Sequence, residues 1–588
     1  MNDFDKNFHL NMSPLYATFV FMLFMLWASE VKGDEIEEVI VTAQQEKTVK
    51  ADPVVNSRLF NVVMPAFTWN AGGYGGFIGY NERGAQTVHT SVFVNGIPAN
   101  DPGSSWYDFG HDVAVGQSIK IVSGANGVVY GSGSIAGTIL IQDEIETGLT
   151  VRRGGDELYR VAVNDAIEVS SFKGSIGSVR TDNDEKDTYS NKTARFNIDA
   201  GDFSIVGKFT EYDYDYDNCF NLDSESSNDC VQEGQRYNVA IRNDYITIGR
   251  NFNKADYFTN DISNEGEYAH QDLTYANESY RDYLRIGNQS ELSKNLNLSY
   301  GVDAERQTYN TMSVSSFGEV LENYKDENFG AFLSINANFI LNYNFGIRIG
   351  NDDQNALRLG IEKDNWFFNL GNSFRKPNLY EKFGDGYVDG NENLEPEEGV
   401  GIEIGYGVLS VFRYDFDQTI EYVPGYSTTV VVTPATYDED GNLLTEAVTE
   451  DVWTNATYSN TGNYTTQGIR FANNFGPFFV SVNYTDTDQP RVPKYMGAVA
   501  WTQTFSDVNV KIKYAFNLDR EPSVWDMLPE GQDKLDDLNK LDLYVTREWP
   551  NGVTVAFRGE NLTDEDTEVV PFYGVQGREF FLTINYKW

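Results

Sequence analysis

Every second residue of the last strand-like segment is apolar: Phe580, Leu582, Ile584, Tyr586 and Trp588 share one face, with Phe581, Thr583, Asn585 and Lys587 opposite. Side chains repeating every two residues alternate across a β-strand, so the two faces of this segment meet different surroundings. The spacing recurs upstream. Val508, Val510, Ile512, Tyr514 and Phe516 alternate with Asn509, Lys511, Lys513 and Ala515. Val480, Val482 and Tyr484 alternate with Ser481, Asn483 and Thr485, and Val553, Val555 and Phe557 with Thr554, Ala556 and Arg558. A soluble β-sandwich produces the same pattern. After residue 29, however, no run of about 18 apolar residues occurs, so no spanning helix is available. If the chain crosses a membrane it does so as a closed sheet, because only closure pairs every backbone group. An aromatic ending the final strand, as Trp588 does, is the usual form in outer-membrane barrels and favours the closed sheet.

Charge removes one class of partner. Lys+Arg 44 against Asp+Glu 88 gives a net charge of -44, which repels phosphate backbones and argues against nucleic acid. Aromatic content of 14% suits interfacial girdles and ring-bearing ligands, unlike an acidic disordered tail. Ala17 to Ser29 is an apolar run of secretory-signal length, followed by Val31-Lys32-Gly33 as a small-residue cleavage pattern. Its n-region carries Asp3, Asp5 and only Lys6, which departs from the basic norm. The two cysteines, Cys219 and Cys230, sit close together in an acidic stretch and read as a disulfide clamping a surface loop of an exported protein. Near the start, Glu37-Glu38-Val39-Ile40-Val41-Thr42-Ala43 is β-branched and flanked by acidic and polar residues. An isolated strand of this kind has free main-chain groups that another protein's sheet edge can capture.

Two compositional blocks follow. The first, to about Thr147, is Gly-rich with short β runs at Val92-Phe93-Val94, Ile119-Lys120-Ile121-Val122 and Thr138-Ile139-Leu140-Ile141, and reads as a small mixed domain. The second carries the alternation. Its polar stretches Asp213 to Glu233, Glu421 to Asp451 and Asp519 to Asn539 read as long loops. Gly131-Ser132-Gly133-Ser134-Ile135-Ala136 fits a dinucleotide fingerprint, but a strand follows where that motif requires a helix, so nucleotide binding is dismissed. No phosphate loop for ATP is present, so energised transport would draw on another source.

The chain resembles the TonB-dependent outer-membrane transporters, of cobalamin and siderophore type, over nearly its whole mature length. Ile36 to Ala43 is similar to the TonB box. Glu82-Arg83-Gly84, Val92-Phe93-Val94-Asn95-Gly96-Ile97-Pro98 and Val129-Tyr130-Gly131-Ser132-Gly133 with Ala136-Gly137 look like successive plug motifs. Ser373-Phe374-Arg375-Lys376-Pro377-Asn378-Leu379, the segment Gly390 to Glu397, Glu560-Asn561-Leu562-Thr563-Asp564-Glu565 and Gly577-Arg578 look like barrel signatures. The resemblance implies an all-β transmembrane barrel of about 22 antiparallel strands, some 20 residues per strand and connection, around an N-terminal mixed α/β plug. It divides the chain into a signal peptide (1–33), a TonB box segment (34–46), a plug (47–147) and a barrel (148–588).

Roles follow residue by residue from the same resemblance. Glu38, Val39, Ile40, Val41, Thr42 and Ala43 would add as a strand to the periplasmic domain of TonB, driven by its inner-membrane motor. Arg83 would pair with a barrel glutamate to lock the plug, whereas Ser123-Gly124 stands where Arg-Gly is usual and Asn95 where an aspartate is usual. Tyr74, Phe77, Trp106 and Tyr107 fall in apical plug segments that would touch a substrate. Asp182, Asp184, Asp213, Asp215 and Asp217 would lie in the first two outward loops and offer carboxylates to calcium, with no cofactor otherwise required. His89 and His111 lack a second His or Cys at ligand spacing and read as structural. The implied function is TonB-dependent import of a scarce bulky nutrient, a small molecule or metal chelate, by a monomer in the bacterial outer membrane. Uptake of a glycan or other organic ligand is the alternative; a passive pore or a surface adhesin is the alternative of another class. No triad, metal cluster or carboxylate pair marks an enzyme.

Overall fold

The computed structural model describes residues 46–51, 67–70, 76–111, 117–175, 188–216, 219–220, 226–227, 230–260, 271–315, 318–351, 354–385, 388–433, 436–437, 443–445, 448–524, 526, 528, 530–571 and 577–588. Residues 1–33, expected from the sequence to be a signal peptide, and residues 38–43, Tyr74, Asp182, Asp184 and Asp217 lie outside the described residues.

The period-two segments close into one antiparallel barrel of 22 strands. Closure joins Glu579–Tyr586 to Gly148–Gly154, with Phe581 opposite Gly154 and Tyr586 opposite Leu149. Gly154 has φ +149, and a Cβ there would lie 1.9 Å from the Phe580 carbonyl oxygen, so the seam needs a glycine at this point. The alternation sorts as its chemistry requires. Phe580, Leu582, Ile584 and Tyr586 are half-exposed on the outside, while Phe581, Thr583 and Asn585 are buried within. Val482, Ile512, Tyr514 and Phe557 likewise face outward, and Ser481, Asn483, Lys513 and Arg558 inward. An apolar exterior around a polar lumen is the pattern of a barrel in lipid, where exposed aliphatic side chains are solvated by acyl chains. No helix among the described residues is long and apolar enough to cross a membrane.

One barrel end carries short turns, as between Tyr406 and Leu409 or Phe475 and Phe478; the other carries long connections, as from Arg375 to Glu397 and Val423 to Thr457. The three long loops expected from polarity are partly strand. Asp213 and Asp215 belong to the strand Phe203–Tyr216, and residues 230–233 to the strand Cys230–Arg242. Tyr426–Thr433 and Val448–Thr454 pair as a hairpin inside the stretch 421–451. Strands that rise beyond the lipid have two aqueous faces, so polarity there does not mark a loop. The Cys219–Cys230 disulfide forms at this end, with Cα atoms 6.2 Å apart. Closing so short a loop contributes about 2–3 kcal/mol through the unfolded chain.

Inside the lumen sits a five-stranded mixed sheet, in the order Glu46–Ala51, Gln117–Ser123, Gly137–Asp143, Thr90–Val94, Ile97–Pro98. Thr90–Val94 runs parallel to Gly137–Asp143, and the other pairs are antiparallel. Val92, Val94, Ile119, Ile121, Ile139 and Ile141 share its core. Asn95 and Gly96, at φ 54 and 85, form the two-residue turn of the hairpin; left-handed backbone at both positions suits Asn-Gly.

Candidate functional site: the plug attachments and the outward cavity

Arg83 leaves the plug in a left-handed conformation, φ 54, unusual for a bulky residue and tolerated only where surroundings over-determine it. Those surroundings are the barrel wall. Its Nη1 and Nη2 donate to the two Glu403 carboxylate oxygens at 2.9 and 2.6 Å, and Nη1 also donates to the Tyr414 hydroxyl at 2.6 Å. The guanidinium lies 5.1 Å from the Phe412 ring centroid, and the Arg83 carbonyl accepts from Thr466 Oγ1 at 2.6 Å. Burial opposes its charge, but Glu403, Tyr414 and Glu82 outweigh that and hold its pKa above the usual arginine value. A planar fork on a carboxylate is the strongest geometry an ion pair offers.

Ser123 takes a different part from the arginine usual there: its hydroxyl donates to plug Glu82 at 2.6 Å. Two cations lie near Glu82, plug Arg83 at 3.4 Å and Arg470 of the barrel at 3.8 Å. A second attachment is made by His89, which sequence reasoning assigned only a structural part. Its Nε2 lies 2.6 Å from Glu397, its Nδ1 2.7 Å from the Tyr464 hydroxyl, and its ring stacks on Phe416 at 4.6 Å. Arg375 completes the group: it donates to Glu397 at 2.6 and 2.7 Å and to Glu381 at 2.9 and 3.1 Å, and it reaches Ser105 of the plug at 3.2 Å.

Asn95 also has a local reason. Its Nδ2 donates to Asp143 at 2.9 Å, and its Oδ1 accepts from the Asp143 amide at 3.1 Å. Asp143 in turn accepts from barrel Arg195 at 3.0 Å. Burial opposes the Asp143 charge, yet Arg195 and Lys208 outweigh it and hold its pKa below the ordinary carboxylate value. An aspartate at 95 would set a second carboxylate beside the first in a buried site.

Above the plug, toward the long connections, lies a cavity of 580 Å³. Phe77, Trp106 and Tyr107 line it from the plug, and Tyr212, Tyr214, Tyr257, Tyr309, Tyr380 and Tyr458 from the barrel. Phe77 and Trp106 are in ring contact at 4.9 Å, and Tyr107 packs edge-on against Phe109 at 4.8 Å. Lys208 lines the barrel side, and three other charged groups at the cavity hold loops. Asp108 accepts from the Ile78 and Gly110 amides at 3.0 and 2.8 Å, Asp101 from the Gly103 amide at 2.8 Å, and Arg236 donates to the Asp108 carbonyl at 2.8 Å. His111 stacks on Tyr212 at 3.8 Å; burial and then Arg236 push its pKa well below the ordinary imidazole value. The surface presented to a ligand is therefore mostly phenol, indole and amide, with the Lys208 side chain at its wall.

Asp213 and Asp215 point away from this cavity, accepting from Ser190 at 2.9 Å and Thr188 at 2.6 Å, while Tyr212 and Tyr214 between them face inward. Among the described residues, no three His, Cys, Asp or Glu are grouped to hold a metal ion.

Residues 155–562 match the model of the TonB dependent receptor-like β-barrel, and residues 38–138 that of the TonB-dependent receptor plug domain. Solved structures share the fold. The siderophore receptor PirA from Acinetobacter baumannii superposes with a TM-score of 0.67 at 14% identity, over 95% of this chain and 100% of that one. A mutant of the ferric enterobactin receptor PfeA from Pseudomonas aeruginosa, crystallised in complex with enterobactin, gives 0.64 at 13% identity over 92% and 99%. The copper transporter OprC gives 0.62 at 13% over 94% and 100%. With its lumen filled by a bolted plug and its wall apolar outside, this chain belongs to the TonB-dependent receptors: non-enzymatic outer-membrane barrels that act in transport with TonB as partner.

Proposed function

We propose that the chain imports a bulky, ring-bearing metal chelate or corrinoid, of ferric-siderophore or cobalamin type, with a glycan or other organic ligand as the weaker alternative. The observation that carries this is the outward cavity of 580 Å³, within the roughly 300–1,000 Å³ of small-molecule sites and walled by tyrosines. Aromatic faces take up ring edges and aliphatic arms, and phenol and amide groups supply hydrogen bonds. With its carboxylates already engaged and the chain strongly acidic, the site favours neutral or weakly charged ligands over polyanions. Energy comes from TonB, to which residues 38–43 would add as a strand through main-chain hydrogen bonds. The attachments at Arg83 and His89 support an active importer over a passive pore, because they keep the lumen filled at rest. We include calcium at the outer rim, with the outward carboxylates of Asp213 and Asp215 as candidates; calorimetric titration with neither heat nor thermal shift would remove it.

The test is growth rescue of a receptor-deleted strain by ferric hydroxamates, ferric catecholates, haem and cyanocobalamin, each supplied singly. One class should rescue, and Trp106→Ala with Tyr107→Ala should abolish that rescue. Failure of every class, or rescue indifferent to both substitutions, refutes the reading.

A further inference from the structure

The outward cavity occupies one side of the barrel mouth: among the described residues, none after Tyr458 lines it. On the other side stand the strands Pro493–Phe505, Val508–Arg520, Leu538–Glu548 and Val553–Glu560. The connection that follows Glu560 turns inward over them. Val569 and Val570 are 7% and 4% exposed, and Val569 packs with Met496 and Leu538. Both partners are on lumen faces: Met496 shares its face with buried Ala498 and Ala500, and Leu538 shares its own with buried Asp542 and Tyr544. Further down the same sector, lumen-facing Lys513 is also buried, at 9% exposure.

Arg520, the last residue of its strand and 1% exposed, holds the connection in place. Its Nε and Nη2 donate to the Asp536 carbonyl, Nε at 3.0 Å. Its Nη1 donates to the Val569 carbonyl at 2.9 Å, and Nη2 also donates to the Glu568 carbonyl at 3.0 Å. Asp536 belongs to the connection after Arg520, and Glu568 and Val569 to the one after Glu560, so a single guanidinium joins two chain segments. Every one of these acceptors is main chain. A buried carbonyl without a donor is costly, and only the five N–H groups of arginine reach three such carbonyls from one side chain. A third connection is tied in: the Arg491 amide donates to the Glu521 carbonyl at 2.6 Å, and the Arg491 guanidinium pairs with Asp526. Asp526 also accepts from the Ser523 amide at 2.8 Å. The inward connection is fixed at its root as well, by the Leu562 amide on the Leu541 carbonyl at 2.7 Å and the Asn561 amide on Asp542 at 3.0 Å.

We propose that residues 561–571, pinned by Arg520, form a fixed cap over the lumen beside the outward cavity, and that this cap confines access from outside to the tyrosine-lined side of the mouth. Arg520 is its positioning residue. Held at root and tip and tied to two neighbouring connections, the cap moves only if all three segments move together. The plug closes the lumen from within, and the cap closes it from above in a sector the cavity does not reach. The inference does not depend on which molecule is imported.

The experiment uses the full chain in whole cells, with Cys219 and Cys230 replaced by serine and one reporter cysteine introduced: Lys513→Cys beneath the cap, or Asn277→Cys in the outward cavity. A membrane-impermeant fluorescent maleimide is added outside. Labelling is timed in the parent, in Arg520→Met, and in Val569→Ser with Val570→Ser, and barrel folding is checked by heat-modifiable migration on gels. In the parent, position 277 should label and position 513 should not. Arg520→Met strips three buried carbonyls of their donor, so labelling at 513 should rise by about tenfold or more while 277 keeps its rate. The double valine variant removes the apolar contact instead and should open 513 in the same way, which keeps the test decisive if Arg520→Met fails to fold. Labelling at 513 as fast as at 277 in the parent overturns the proposal, and so does a position 513 that stays unlabelled in every variant that folds.

Discussion

Removing Arg83 should loosen the plug more than removing its partner, and the asymmetry follows from the contacts. Both side chains of the Arg83–Glu403 pair are 3% exposed. Arg83→Ala strands a buried Glu403 carboxylate and takes a cation from Glu82, 3.4 Å away. Breaking a buried pair from one side costs about 3–5 kcal/mol, because the orphaned charge stays desolvated. That corresponds to an increase of about 100- to 4,000-fold in the population with the plug locally undocked. Glu403→Gln leaves Arg83 with the Tyr414 hydroxyl at 2.6 Å, Glu82 and a neutral amide oxygen, so the cost should be smaller. Hydrogen exchange of plug amides over residues 78–98, in detergent-held protein, reads the undocking directly while the barrel stays folded. Protection should fall most in Arg83→Ala, less in Glu403→Gln, and the double variant should cost less than the sum. A change below about 1 kcal/mol in Arg83→Ala, the level of an exposed ion pair, or a reversed order, would refute the reasoning.

Three further outcomes follow. Asn95→Asp sets a second buried carboxylate beside Asp143 and should lower plug stability by about 1–3 kcal/mol at neutral pH, with recovery as the pH falls and one carboxylate protonates; pH-dependent thermal melting checks it. His111 has its folded pKa pushed below the ordinary 6.5, so the unfolded chain binds the proton first as pH drops. The stability His111 contributes is therefore complete above about pH 6.5 and lost below it, and His111→Gln should flatten the melting-temperature decline between about pH 7 and 5. Leu582→Arg, on the half-exposed lipid face, should cost up to about 2–4 kcal/mol in refolding into bilayers, more than the same change at exposed Gln503 near a short turn.

The barrel was legible because lipid outside and water inside impose opposite demands on neighbouring residues. Phe580 to Trp588 and Val480 to Thr485 display that contrast without any partner strand in view. The stretch Asp213-Tyr214-Asp215-Tyr216 was misjudged for the same reason inverted: above the lipid its outer face is wet, so carboxylates there mimic a loop. The tyrosines alternating with them were the available strand signal. Of the attachments, Arg83 was accessible from its motif, but Glu403 lies 320 residues away and nothing local couples the two. A hint exists in the strand Glu397–Tyr406, where Val400, Ile402 and Ile404 face outward and Glu397 and Glu403 occupy the inward frame. His89 was harder, since a lone histidine carries no spacing and its role comes only from the Glu397, Tyr464 and Phe416 that converge on it. Phe77, Trp106 and Tyr107 line one cavity together. Its barrel tyrosines are scattered from Tyr212 to Tyr458 over separate strands and a connection, and only the closed sheet groups them.

Uptake against binding in Ile40→Pro, set beside Ile40→Ala, probes the energised importer most directly, because proline removes a main-chain donor and alanine does not. Cells carrying Ile40→Pro should bind the rescuing nutrient normally yet accumulate none, with Ile40→Ala close to the parent. Undiminished accumulation in Ile40→Pro, or equal losses in both, would mean that no strand offered to TonB moves this plug.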